Sequence, residues 1–229
     1  MTMHFRFALS IVAGVGVLGA AVAKDARIGT ASLNLPPPTG YCDLTEQQPS
    51  DAHMIKVVGD LLAGRNELLA MSADCRQLQN WRAGTQPLLD DYAQYQTLIA
   101  AKDANLSRAD TVKRSCAQIR AEGEKILAGG VPEINKRMEA VLKDIKINES
   151  RLVGVLAEDA DACYFALVQK MKTEAGADKT QLIMTAVTIL KGKILYYYLY
   201  TPYKDAGTVN AALARHKTNV AAVLKANGG

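Results

Sequence analysis

Apolar residues recur every three to four positions in some stretches of the chain and every second position in others, and the changes of period mark out the elements. Ser50 suits a helix N-cap, Met54, Val58 and Leu61 follow at helical spacing, and Gly64 stops the run. Residues 66–75, "NELLAMSADC", read as a strand after that stop, broken by Asp74. "LQNWRAG" reads as a short turn ending at Gly84. Residues 90–99 read as a second strand, in which Tyr92 and Tyr95 favour extended backbone. Ser107 caps a helix with Val112, Cys116, Ile119 and Ile126 on one stripe, and Gly129-Gly130 stops it. Pro132, in a first turn, opens another helix whose apolar face is Ile134, Met138, Val141, Leu142 and Ile145.

The period then becomes two. Residues 151–157 and 162–171 flank the turn-like "EDAD" and predict a hairpin, and residues 174–179 form a polar connector. Residues 180–190 start a second hairpin. A last helix, capped by Asp205 or Thr208, buries Val209, Leu213, Val220 and Leu224. The order of elements predicts an α+β fold: an antiparallel sheet of about six strands flanked by helices, an α/β/α sandwich.

The second hairpin carries the most distinctive run, "LKGKILYYYLYTPY" (residues 190–203), with five of the nine tyrosines. Lys191-Gly192 fits a two-residue loop in which glycine supplies positive φ, and such a loop fixes the register. Leu190 then opposes Lys193, Val187 opposes Tyr196, Ala186 opposes Tyr197, Thr185 opposes Tyr198 and Ile183 opposes Tyr200. Alternation puts Ile194, Tyr196, Tyr198 and Tyr200 on one face, and Leu195, Tyr197 and Leu199 on the other. Both faces are largely apolar, so both need cover. The middle helices and the last helix are expected to supply it. Tyr196, Tyr198 and Tyr200, with Tyr203 in the exit loop, are the candidate ligand or partner surface. The competing reading is that these rings fill the core.

The N-terminus changes the picture of where the chain acts. A positive start with Arg6, an apolar run over residues 7–20 and the small-x-small Ala21-Val22-Ala23 read as a signal peptide cleaved after Ala23. The apolar run is short for a membrane span, and none is expected in the mature chain. "GVGVLG" inside this segment matches GxGxxG but lacks the βαβ context a dinucleotide site needs. Residues 24–49, with the triple proline Pro36 to Pro38, are expected to be an extended lead-in outside the core, and residues 50–229 a single domain. The location implied is periplasmic or secreted.

Four cysteines, Cys42, Cys75, Cys116 and Cys163, suit two disulfides in an exported chain. Three connectivities are open. An inward-facing Cys116 and a strand-borne Cys163 favour Cys75 with Cys116 and Cys42 with Cys163. No CxxC pair exists, so neither a metal site nor a redox pair of that kind is expected. Net charge is only +4 and basic residues are interleaved with acidic ones, which argues against nucleic acid.

Catalytic candidates are few. His216 falls on the inner stripe of the last helix and His53 in the first turn of the first. Glu158, Asp159 and Asp161 lack EF-hand spacing, and Asp90-Asp91 would point to opposite sides of a strand. No HExxH, GxSxG, SxxK or P-loop occurs, so no catalytic residue, metal or cofactor is assigned.

The layout resembles the α/β/α sandwiches of the PsbP and Mog1 kind. "PPPTGYC", the "ADC…W" segment and the tail from "LKGKILYYYLY" onward are similar to small exported alphaproteobacterial proteins of unknown function. The resemblance implies an exported domain and brings no catalytic motif. The expectation is an exported, non-enzymatic envelope protein that binds a protein partner or an apolar ligand. The alternatives are a periplasmic hydrolase built around His53 or His216, and a structural or stress-related protein with no small ligand.

Overall fold

The computed structural model describes residues 24–142, 145–172 and 178–229. The expected leader, residues 1–23, lies outside the described residues, as do residues 173–177 of the polar connector. The elements in chain order are β1 (Lys24–Ile28), β2 (Ala31–Leu35), β3 (Tyr41–Asp43), α1 (Pro49–Leu62), β4 (Asn66–Asp74), α2 (Cys75–Arg82), β5 (Tyr92–Leu98), α3 (Arg108–Val141), β6 (Lys146–Glu158), β7 (Cys163–Lys172), β8 (Asp178–Leu190), β9 (Lys193–Pro202) and α4 (Ala206–Ala226). A 3-10 turn, Ile99–Ala101, follows β5.

Seven strands form one antiparallel sheet in the order β3-β4-β5-β9-β8-β7-β6, and β1-β2 is a separate hairpin. All six expected strands are present, and β3 is added at one edge. The β8-β9 register is the one read from the loop: Leu190↔Lys193, Val187↔Tyr196, Thr185↔Tyr198 and Ile183↔Tyr200. Lys191 (φ 48°) and Gly192 (φ 78°) both take positive φ, the type I′ geometry whose twist matches the flanking strands.

Each sheet face has its own cover. On one, Leu195, Tyr197 and Leu199 of β9 and Leu182, Met184 and Ala186 of β8 pack with Ala212, Val220, Val223 and Leu224 of α4. Fully burying one such side chain stabilises the fold by about 1.5–3 kcal/mol. On the other, α1 and α2 lie over β4 through Met54, Val58, Leu78 and Met71, while α3 runs over β6, β7 and β8. The sandwich is therefore helix, sheet, helix.

Several expectations are corrected. The lead-in is not outside the core: Ile28, Leu33 and Leu35 of β1-β2 are at most 1% exposed and join the α4-side core. Strand alternation in "RIGTASLNL" was masked by the neighbouring prolines. The "LQNWRAG" turn belongs to helix α2, begun by the Asp74 carboxylate, which accepts from the N–H groups of Arg76 and Gln77. The helix expected to stop at Gly129-Gly130 continues as one 34-residue α3 with Pro132 inside it. Tertiary bonds hold its far half: the Asn135 side-chain amide exchanges two hydrogen bonds with the Ile147 backbone, and Arg137 donates to the carbonyls of Leu61 and Ala63. Such contacts outweigh local breakers.

The disulfides are also corrected. Cys42 pairs with Cys75, and Cys116 with Cys163. Cys116 does face inward, but the strand it meets is β7. Cys42 on β3 lies beside the end of β4, next to Cys75 at the start of α2.

Candidate functional site

Pairing of β5 with β9 decides what surrounds the tyrosines. Tyr92 sits opposite Tyr200, Gln94 opposite Tyr198 and Gln96 opposite Tyr196. Side-chain alternation then places Tyr92, Gln94, Gln96, Tyr196, Tyr198 and Tyr200 on one face, the face of α1 and α3. α1 rests on β4, α3 rests on β6 to β8, and the two helices also touch each other, so this strip lies on the strands between them, and we call it the valley. Arg137 of α3 closes one end by binding the last carbonyls of α1.

The rings form a file. Tyr92 stacks on Tyr200 with centroids 4.3 Å apart, Tyr200 stands 6.3 Å from Tyr198, and Tyr198 stands 6.2 Å from Tyr196. Each is mostly covered yet keeps part of its surface exposed, whereas Tyr197 on the other face is 1% exposed. Burial pushes the phenols of Tyr198, Tyr200 and Tyr92 well above the usual range, and their close neighbours, other phenols or Asp90, push the same way. Tyr196 is raised by burial as well. All four therefore stay neutral. They can donate and accept hydrogen bonds and offer ring surface, but they are not bases.

Beside the rings, on the same face, the strip is polar. Gln94, Gln96, Gln181 and Thr185 are each at most 4% exposed. Asn66 Nδ2 donates to Gln96 Oε1 at 2.8 Å, and Gln96 Nε2 donates to Gln94 Oε1 at 2.7 Å. This amide relay locks the rotamers of the strip. Among the described residues, the hydroxyls of Tyr92, Tyr196, Tyr198 and Tyr200 have no side-chain or backbone hydrogen-bond partner.

The structure thus brings together three of the four tyrosines read from sequence and separates the fourth. Tyr203 packs against the α4-side core, with Val209 and Leu213, on the opposite face. Tyr92, Gln94, Gln96 and Asn66 were missed. Period-two alternation in "YAQYQ" carried the parity of the first three, but no short turn links β5 to β9 to say that they were neighbours.

The catalytic candidates do not assemble. His53 is exposed on α1. His216 is fully buried, stacked on Tyr197 at 4.3 Å, with its Nε2 3.1 Å from the Tyr197 carbonyl oxygen. A carbonyl only accepts, so Nε2 carries the proton and donates. Neither histidine contacts a nucleophile or a carboxylate among the described residues, so the arrangement a hydrolase would need is not formed around them. Asp159 is used locally, accepting from the backbone of Asp161 and Ala162. Asp90 and Asp91 diverge, Asp90 to Lys179, and Asp91 to Arg215 and the Tyr41 hydroxyl. The second of these groups fastens α4 to the sheet on the face away from the valley.

No protein-family model matches the chain, and no curated protein matches it. Among solved structures it is similar to the Saccharomyces cerevisiae Ran-binding protein Mog1p, with 13% sequence identity over 90% of this chain and 91% of that one and a TM-score of 0.30. So low a score carries no argument about site or partner. No described helix is long and apolar enough to cross a membrane.

Proposed function

We propose that this chain is an exported, non-enzymatic binding protein, and that the valley between α1 and α3 receives an apolar group of its ligand or protein partner. One observation carries the reading. In a sheet whose two faces are otherwise covered by helices, four neutral tyrosines in file stay partly exposed, with unpartnered hydroxyls, beside a hydrogen-bonded row of amides. Aromatic rings of this kind offer large contact area, and their hydroxyls orient a bound group. The leader pattern in residues 1–23 and the two disulfides support export.

The test is the double substitution Tyr198→Ala with Tyr200→Ala, made in the protein recovered from the compartment to which it is exported. Molecules that co-purify with the wild type are expected to be lost from the variant, while its circular dichroism stays that of a folded α+β domain. A folded variant that retains the same co-purifying molecules at the same occupancy would refute the valley.

A further inference from the structure

The amide relay ends at Asn66, and Asn66 lines a shallow, open-sided cavity. Asn66 and Leu68 of β4, Ile99 and Lys102 after β5, and Ile55 and Gly59 of α1 line most of a space of about 340 Å³. That size is at the low end for small-molecule sites, which run from roughly 300 to 1,000 Å³. Ile55, Leu68 and Ile99 make its wall aliphatic. Glu67, also at the wall, is neutralised by an ion pair with Lys102, so the two charges offset each other. Asn66 has committed its Nδ2 to Gln96, and among the described residues no donor reaches its Oδ1.

Gly59 of α1 lines the same space. A glycine inside a helix costs about 1 kcal/mol relative to alanine, and it is usually retained for a positive φ or a close approach. Gly59 has neither: its φ is not positive, and a Cβ built there would meet nothing within 4 Å. A side chain at this position would project into open space at the cavity wall.

We infer that this cavity binds a small uncharged ring bearing one N–H or O–H donor, an indole or a phenol, with the ring against Ile55, Leu68 and Ile99 and the donor on Asn66 Oδ1. The inference deepens the valley reading, since Gln96, which holds Asn66, lies opposite Tyr196 at this end of the file. A charged ligand would have to break the Lys102–Glu67 pair. A ring without a donor would leave Asn66 Oδ1 covered and unpaired, a loss of about tenfold or more in affinity.

The test is a titration of the ¹⁵N-labelled protein with indole, phenol and 1-methylindole, followed by amide chemical shifts. Indole and phenol are expected to give saturable shifts centred on Ile55, Gly59, Asn66, Leu68 and Ile99, with 1-methylindole binding at least about tenfold more weakly. Gly59→Leu fills the space and is expected to abolish these shifts at an equal or higher melting temperature. The inference is overturned if indole and phenol give no saturable shifts up to their solubility, if 1-methylindole binds as well as indole, or if folded Gly59→Leu binds indole unchanged. Gly59→Leu leaves Tyr198 and Tyr200 in place, so loss of the ring pocket and loss of the tyrosine file are separate results.

Discussion

His216 makes the fold acid-sensitive, and the size of the effect follows from its surroundings. It sits on the inner side of α4, 0% exposed, between the stacked ring of Tyr197 and the edge of Tyr164. Burial lowers its pKa to about 3, with the Arg215 charge acting in the same direction and the Tyr197 carbonyl bond opposing. In the unfolded chain the ring titrates near 6.5. Between these values the unfolded state holds a proton that the folded state does not, so stability falls as pH falls. The loss begins below about 6.5, deepens by about 1.4 kcal/mol per pH unit, and levels off near pH 3 at about 5 kcal/mol. At pH 4.5 the penalty relative to pH 8 is about 3 kcal/mol.

Other charged groups lie in this region, Asp91 beside Arg215 and Asp159 beside Lys217 among them, so the wild-type curve is read against a variant that changes the ring alone. The comparison is with His216→Gln, which keeps a donor for the Tyr197 carbonyl and removes the titration. Urea unfolding of both proteins from pH 8 to pH 4 gives the difference in stability at each pH. That difference is expected to be constant above pH 7 and to shift by about 3 kcal/mol in favour of the variant by pH 4.5. Two parallel curves would refute the reasoning. So would a His216 ring resonance that titrates in the native protein near pH 6.

Asp51 is fully buried and accepts from the backbone N–H of Thr45 and from the Arg82 guanidinium, tying the start of α1 to α2. Asp51→Ala is expected to lower stability by about 3 kcal/mol in urea unfolding, the low end for a buried pair because Arg82 is partly exposed; a loss below about 1 kcal/mol would count against it. Non-reducing peptide mapping is expected to recover Cys42–Cys75 and Cys116–Cys163, each contributing about 4 kcal/mol from the loop it closes, and dithiothreitol is expected to open the part-exposed Cys42–Cys75 first. A Cys75–Cys116 peptide would contradict the fold.

Legibility in this chain tracked how locally each feature is determined. The β8-β9 register was readable because Lys191-Gly192 pins it within two residues, and parity then assigned every tyrosine on β9 to a face. The α3 break was misjudged because Gly129, Gly130 and Pro132 act locally, whereas Asn135 and Arg137 reach β6 and α1. The disulfides were misjudged for the same reason. Which strand Cys116 meets depends on where α3 crosses the sheet, and nothing in the period of α3 encodes that crossing.

The candidate site shows the limit most clearly, because two tyrosine pairs of one hairpin-and-neighbour arrangement meet opposite fates. Tyr95 and Tyr197 stack at 4.7 Å under α4, and both hydroxyls are satisfied, Tyr95 donating to the Pro36 carbonyl and Tyr197 accepting from Asn219. Tyr92 and Tyr200 stack at 4.3 Å three positions along the same strands, on the other face, with surface still open. Propensity and cross-strand partner type are the same for both pairs, and parity says only that they point to opposite faces. What differs is the cover: α4 lies across β9, whereas α1 and α3 lie to either side of it. A run of tyrosines therefore announces ring surface to be covered, and only the placement of helices distant in sequence decides which rings become core and which are left for a ligand to cover.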